Sequence, residues 1–419
     1  MLSTSNIPRT FSLSDPALVA KPYPAYVWLL AQSGPLFDES SERWIISHYA
    51  QVKAALSDTR LASTKPPDPN CESDPSFAMA SFLSKQLHLI DDNKKHNLLR
   101  GLLAKSFTPR AVNALRHRIA KITDELLTNA LPRPENNSSK AGVAVIDIIR
   151  DLALPLPLRL IAEMLGLPTT PADMVQFQRW AKALVAMLDT DSTTKLSRMR
   201  RLSTTVEELV AYLSTFLAQP SQKTTTESSC SNNASQLSDD GKSDLLLVLQ
   251  QAIQDGLLTD EELVANCLLL IAAGYVTTST LIGNGFLALL ENPAQMQLLR
   301  SNTAHLIAGA VAEFMRHSSP SQYTKRVAVT DLYIGSQLIQ AGEGVALMLG
   351  AANRDPAQFS NPNALDITRS NAREHLGFGR GFHYCLGAFL AQLEAQVAIS
   401  TLLQYKEPGQ LSWLYPQPS

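Results

Sequence analysis

The chain has 419 residues, 45% of them hydrophobic, and 36 Lys and Arg against 38 Asp and Glu give a formal charge of −2. That composition supplies a large core, and the balanced charge excludes a nucleic-acid binder built on a strongly basic surface. Its cysteines, Cys71, Cys230, Cys267 and Cys385, are scattered without a disulfide or C-x-x-C framework, as expected in a reducing compartment.

The first ten residues, Met1-Leu-Ser-Thr-Ser-Asn-Ile-Pro-Arg-Thr, hold neither a hydrophobic span nor a signal-peptide core, so we expect no membrane anchor and a cytoplasmic protein. Pro22–Val52 reads as a short amphipathic helix followed by a strand at Arg43-Trp-Ile-Ile-Ser47. Residues 63–82, rich in Pro, Ser and Asp, read as a loop. From about 97 to 218 the period is mostly helical, with breaks at Pro132–Lys140 and around Pro168–Pro171. Residues 219–242 are polar and low in complexity, which predicts a flexible surface loop inside a single domain spanning 1–419.

Thr259-Asp-Glu-Glu262 starts a helix with an acidic first turn and leads into a long apolar run. Inside that run lies Ala272-Ala-Gly-Tyr-Val-Thr-Thr278. A glycine there costs the helix about 1 kcal/mol relative to alanine. Two readings account for it: a flat, bulky group lying against Ala273 and Gly274, or close packing of a neighbouring helix. Glu313 and Arg316 share a helix face at i,i+3. Between 327 and 350 short β-like runs alternate with glycine.

Residues 377–390 form a glycine-punctuated loop that presents Cys385 ahead of an apolar helix. Gly379 and Gly381 allow turns closed to other residues. Amides at the start of the next helix would point at the sulfur and favour its thiolate. A bound metal would favour it further, and a lone cysteine without zinc-type spacing fits haem iron better than zinc. A buried cysteine in a tight turn is the plain alternative.

Phe378-Gly-Arg-Gly-Phe-His-Tyr-Cys-Leu-Gly387 meets every fixed position of F-G-x-G-x-H-x-C-x-G, and on these residues the chain resembles the cytochrome P450 superfamily, in its soluble bacterial form. The resemblance implies a mainly α fold with small β-sheets and haem b (iron protoporphyrin IX) held between the I and L helices. Cys385 would be the axial thiolate, with Phe378 and Gly379 in the cofactor loop, His383 on a propionate and helix 386–404 as the L helix. Ala273, Gly274 and Thr277 match the I-helix pattern A/G-G-x-D/E-T. By that match the Thr277 hydroxyl would hold dioxygen and its water, while Val276 stands where the family usually has an acid. Glu313 and Arg316 match the E-x-x-R pair that braces the core, whose third partner would fall near Ala364 and is lacking there.

Asp92-Asn-Lys-Lys-His-Asn-Leu-Leu-Arg100 resembles the bacterial D-P-P-x-H-x-x-x-R without its prolines, so His96, Arg100, Arg326 and His383 would converge on the propionates. Ala351–Asp355 resembles a structural segment of the bacterial branch. By family geometry the substrate pocket would draw on Phe77, Phe82, Trp180, Leu269 and Ser321, with Met79 and Met187 as further apolar candidates. The chain stops at Ser419, where family members continue into a β-hairpin, so we expect another cover for the pocket or a more open one.

The activity implied is that of a monooxygenase which hydroxylates or epoxidises a hydrophobic small molecule with O2, in natural-product biosynthesis. Oxidative coupling, cyclisation or rearrangement without oxygen insertion is the alternative, favoured by Val276, and a haem-based sensor comes third. Electrons would come from NAD(P)H through a ferredoxin reductase and a ferredoxin. That partner would dock on a basic face formed by Lys94, Lys95, Lys105, Arg110 and Arg116.

Overall fold

Apolar residues at Ile45, Ile46 and 345–347 draw the two ends of the chain into one sheet. In the computed structural model, which describes residues 12, 13, 15, 21–63, 94–130, 146–188, 196–218 and 245–404, helix α1 (Tyr23–Leu30) precedes strands β1 (Leu36–Asp38) and β2 (Arg43–Ile46). Helix α2 (Tyr49–Ala55) and strand β3 (Leu61–Ala62) follow. Strands β4 (Thr324–Ala328) and β7 (Gly344–Leu347) complete a sheet of order β1-β2-β7-β4-β3, in which only β2 and β7 run parallel. Side-chain bonds lock the register, since Trp44 Nε1 donates to Glu343 Oε2 at 3.0 Å. Strands β5 (Leu332–Ile334) and β6 (Gln337–Ile339) form a hairpin whose turn takes its positive φ, 63°, at Gly335.

The body is helical: α3 (Lys94–Ala104), α4 (Pro109–Ala114), α5 (Arg116–Ala130), a π turn (Ile149–Ala153), α6 (Pro155–Met164), α7 (Pro171–Leu188), α8 (Leu196–Ala218) and α9 (Leu245–Gln254). The spine is α10 (Asp260–Glu291), 32 residues and so about 48 Å long. Its start is fixed by a capping box, in which Glu262 N–H donates to Thr259 Oγ1 (3.2 Å) and Thr259 N–H to Glu262 Oε2 (3.0 Å). After it come α11 (Pro293–Ser301), α12 (Thr303–His317), α13 (Leu349–Ala352) and α14 (Ala388–Gln404). Helices α6, α7, α12 and α14 pack around α10, and one core cluster runs from Leu99 on α3 to Leu403 on α14. Among the described residues only α10 is long and apolar enough to cross a membrane, and 67% of its most apolar window is buried inside the protein.

The mainly helical fold with small sheets is as expected, and the strand at 43–47 and the helix after the Cys385 loop fall within two residues of their expected bounds. The expected loops at 219–242 and Pro132–Lys140, most of 63–82 and the terminal residues 405–419 lie outside the described residues.

One expectation needs correction. Glu313 and Arg316 are fully buried and joined at 2.7 and 2.8 Å, and the network they start is complete. Its third member is Arg369, whose Nε donates to both Glu313 oxygens at 3.2 Å. Ala364 takes part through its carbonyl, which accepts from Arg316 Nη2 (3.2 Å) and Arg369 Nη2 (3.3 Å). Two guanidinium groups around one carboxylate supply the hydrogen bonds that a buried charge requires. The segment 351–355 is structural, as expected: Asn353 bridges Ser319 Oγ (2.8 Å) and the Leu376 amide (2.7 Å), and Asp355 accepts from Tyr49 N–H (2.8 Å).

Candidate functional site

The Cys385 loop is built by backbone hydrogen bonds. Cys385 N–H donates to Phe378 O at 2.9 Å, and Gly379 N–H to Leu376 O at 2.8 Å. Gly379 and Gly381 take φ of 68° and 71°, and a Cβ on Gly381 would lie 2.9 Å from Leu56 O. No other residue fits Gly381 without backbone movement. Phe378 packs on the main core cluster, and Arg100 Nη2 donates to Tyr384 O at 2.6 Å, tying α3 to the loop. The sulfur departs from expectation in one respect. Burial raises the Cys385 thiol above its ordinary value, against the Gly387 amide and the charge of Arg100, which lower it. A bound metal cation would counter that rise and favour the thiolate.

Three of the four residues expected around a cofactor's carboxylates meet at this loop. His96, buried on α3, stacks on Phe382 with ring centroids 4.2 Å apart and meets His383 edge-on at 4.8 Å. His383 Nε2 and Ser63 Oγ lie 3.0 Å apart. Arg100 joins them through Tyr384. Arg326 is buried on β4, and its Nη1 donates to Thr324 Oγ1 (2.9 Å) and Lys325 O (2.7 Å).

On α10 the glycines separate the two readings of its small residues. A Cβ on Gly285 would sit 2.8 Å from Phe314 Cδ2 and 3.3 Å from Ile399 Cδ1, and one on Gly283 would strike Ile149 Cδ1. Those two glycines serve helix packing. Gly274 does not: among the described residues a Cβ there would meet only Ile161, at 3.9 Å, an ordinary contact. Ala273 and Thr277 are exposed and Gly274 half-buried on a helix whose neighbouring positions are buried. Among the described residues this turn is left open beside Ile161, the shape a flat group would need. Thr277 Oγ1 donates to Ala273 O at 2.9 Å, leaving its oxygen lone pairs to accept. Val276 is half-buried against the core cluster, as is Leu269 about two turns earlier.

The other candidates divide. Phe77, Met79 and Phe82 lie outside the described residues, and Ser321 sits half-buried just before β4. Trp180 is a core residue: 6% exposed, it donates Nε1 to Glu208 Oε2 (3.2 Å) and packs its ring on Phe177 and Tyr212. Of the basic set, Lys95 is spent on an ion pair with Glu262. Lys94, Lys105, Arg110 and Arg116 are exposed. Two residues escaped the sequence reading. Arg369 could have been sought as a cation following Asp366, and Glu394 as the one charge in the apolar run of α14.

Among the described residues no group of three or more His, Cys, Asp or Glu stands together. A single cysteine ligand suits a haem iron, whose other ligands come from its macrocycle. The donor set fits haem: one cysteine sulfur, histidines and arginines for carboxylates, and an open small-residue turn on α10. A helical fold with these features defines a haem-thiolate enzyme. The family Cytochrome P450 matches residues 35–407, and the chain belongs to it. A Bacillus subtilis (strain 168) relative, "Biotin biosynthesis cytochrome P450", is 35% identical over 361 residues, covering 86% of this chain and 82% of that one. The structure of P450BioI in complex with hexadec-9Z-enoic acid ligated acyl carrier protein superposes with a TM-score of 0.78 at 33% identity, covering 92% of both chains. That of tirandamycin C-bound P450 monooxygenase TamI gives 0.73 at 34%, covering 93% and 90%. The chain is thus an oxidoreductase of the monooxygenase type, a haem protein with bacterial biosynthetic relatives.

Proposed function

We propose that this enzyme uses haem b, bound through Cys385, to insert an oxygen atom from O2 into a hydrophobic small molecule of bacterial natural-product biosynthesis. The observation that carries the reading is the open turn of α10, where Ala273 and Thr277 are exposed and Gly274 is not required by packing. The continuous core from α3 to α14 supports one catalytic domain, and a cytoplasmic location belongs to the same reading.

When bound, the haem supplies dioxygen activation, with thiolate donation favouring O–O cleavage. The chain supplies the rest. His96, Arg100, His383 and Arg326 are the donors that would offset its two carboxylates, whose burial without partners would be costly. Thr277 Oγ1, its proton committed to Ala273 O, accepts a hydrogen bond from water or substrate in the open turn. Val276 and Leu269 keep the adjoining wall apolar, which suits a hydrophobic substrate. TamI, with bound tirandamycin C, offers the parallel for such a substrate. The acyl carrier protein complex of P450BioI offers the parallel for a carrier-bound acyl chain.

Electrons enter from an acidic ferredoxin, itself reduced by NAD(P)H through a reductase. Between Lys94 and Thr123 the chain has eight Lys and Arg and no Asp or Glu. Only Lys95 and Arg118 of these pair with a described acid, Glu262 and Glu163. Val276 favours the second reading, oxidative coupling or cyclisation without oxygen retention, because α10 has no acid beside Thr277. Turnover under isotopic dioxygen separates the readings, with label in the product for the first and none for the second. A carbon monoxide complex of the reduced protein with a histidine-type Soret band would end both.

A further inference from the structure

Between Gly274 and Val276 the open turn of α10 carries a tyrosine. Three tyrosines are buried among the described residues, and two of them have a partner for the hydroxyl. Tyr26 donates to Gln322, and Tyr49 donates to Glu374 O at 2.8 Å. Tyr275 is the third. It is fully buried, and its Oη forms no hydrogen bond among the described residues. An unmet buried hydroxyl is costly, and phenylalanine would fill the same space without one. The group therefore calls for a partner in some state of the protein.

The polar group beside it comes from α7. Met174, Gln178, Ala181 and Val185 recur at i, i+4, i+7 and i+11, so they share one face of that helix. The three apolar members pack in the main core cluster, and Gln178 is the one polar member of the stripe. Helices α7 and α10 pack on each other. Burial raises the Tyr275 phenol, and the Gln178 side chain standing next to it lowers it. Two largely apolar helices thus bring one amide and one phenol together, short of hydrogen-bond geometry in this state.

The other side of α7 is already fixed to α8. Trp180 Nε1 donates to Glu208 Oε2 (3.2 Å), and Arg179 pairs with the same carboxylate. The Tyr212 ring lies 5.6 Å from Phe177 and 5.1 Å from Trp180 between centroids. Helices α7 and α8 therefore shift as one pair. The contact left to adjust is the one with α10, where the unmade Gln178–Tyr275 bond lies two residues from Thr277.

We propose that Gln178 and Tyr275 are a positioning pair, whose hydrogen bond closes when a ligand fills the open turn and so fixes α7 beside it. The inference rests on the reading of that turn as the ligand-facing side of the haem pocket. Phenol and amide are both neutral, so one hydrogen bond forms and no proton is transferred. A bond made only in the filled state adds to ligand affinity by its whole worth.

Two azoles added to the haem-bound enzyme test the pair, since an azole nitrogen ligates haem iron and moves the Soret band without knowledge of the natural substrate. 4-Phenylimidazole carries a phenyl ring into the open turn, and imidazole is the control for iron ligation itself. Tyr275→Phe and Gln178→Leu should each weaken 4-phenylimidazole about three- to tenfold, the worth of one hydrogen bond gained on binding, and leave imidazole unchanged. The double variant should bind no more weakly than either single one, as two halves of one contact require. Hydrogen exchange of the α7 backbone amides should slow on 4-phenylimidazole binding in the parent and not in the variants. Without ligand, Tyr275→Phe should match or exceed the parent in urea, because it removes a hydroxyl that is unmet in that state. Parent-like binding of 4-phenylimidazole by the single variants, losses that add in the double variant, or equal losses for both azoles would overturn the pair. The carbon monoxide complex of the same samples keeps the two ideas apart: without a thiolate-type band in the parent enzyme, it is the reading of Cys385 that fails.

Discussion

Two glycines on one helix give the sharpest test of what the open turn of α10 is for. Gly274→Ala and Gly285→Ala make the same chemical change, and each gains about 1 kcal/mol of helix propensity. At Gly285 the new methyl would lie 2.8 and 3.1 Å from Phe314 Cδ2 and Cγ and 3.3 Å from Ile399 Cδ1. Overpacking of that kind costs about 1–3 kcal/mol, so the variant should end neutral to about 2 kcal/mol less stable. At Gly274 the nearest contact is Ile161 Cγ1 at 3.9 Å, so the propensity gain should survive. Function should divide the other way. The Gly274 methyl projects into the turn beside Thr277, so substrate-induced shifts of the Soret band should weaken or vanish, while the Gly285 variant keeps them. Denaturant unfolding by far-UV circular dichroism and substrate titration by absorbance read both effects. If the two variants lose stability alike, or Gly274→Ala binds substrates as the parent does, the open turn is not the cofactor face.

Other perturbations have equally definite outcomes. Arg369→Ala removes one of two cations from the buried Glu313 carboxylate; by the usual cost of breaking a buried pair it should destabilise by about 3–5 kcal/mol in urea titration. Glu394→Gln should change the pH dependence of stability. The folded carboxyl keeps its proton to about 8 whereas the unfolded one releases it near 4.5, so the parent loses stability as pH rises through that window. The glutamine variant should gain relative to it by up to about 5 kcal/mol between pH 4.5 and 8; a difference independent of pH would refute the isolation of that carboxyl. Gly381→Ala should abolish haem incorporation, because φ of 71° and the Leu56 carbonyl 2.9 Å from a Cβ leave no relaxed placement, and the absorbance ratio of Soret to protein band reads it. Charge reversal at Lys105 and Arg110 should slow reduction by ferredoxin several-fold at low salt and little at high salt, and an equal effect at both would remove that face from docking.

Much was legible before any coordinates, and it was legible where physical rules are local. The helix start at Thr259–Glu262, the apolar run that follows it and the glycine-forced turn around Cys385 each depend on residues close together in the chain. The Glu313–Arg316 pair is local too, at i,i+3. What the sequence left open was decided across distance. Position 364 was expected to matter through a side chain, yet the chain folds so that Arg369 reaches Glu313 and Ala364 lends only its carbonyl. Trp180 was a pocket candidate by family geometry, and the structure shows it buried and packed against α8.

The order of residues alone fixed the family, the cysteine that can meet iron and the helix that can face it, because each is a short pattern with its own geometry. Only the folded chain decided which glycines of α10 are held against a neighbouring helix and which is not. It alone also decided which buried acid is compensated and which is left holding its proton. Those properties depend on what stands within a few ångströms in space, and neighbours in space come from segments that the sequence keeps far apart.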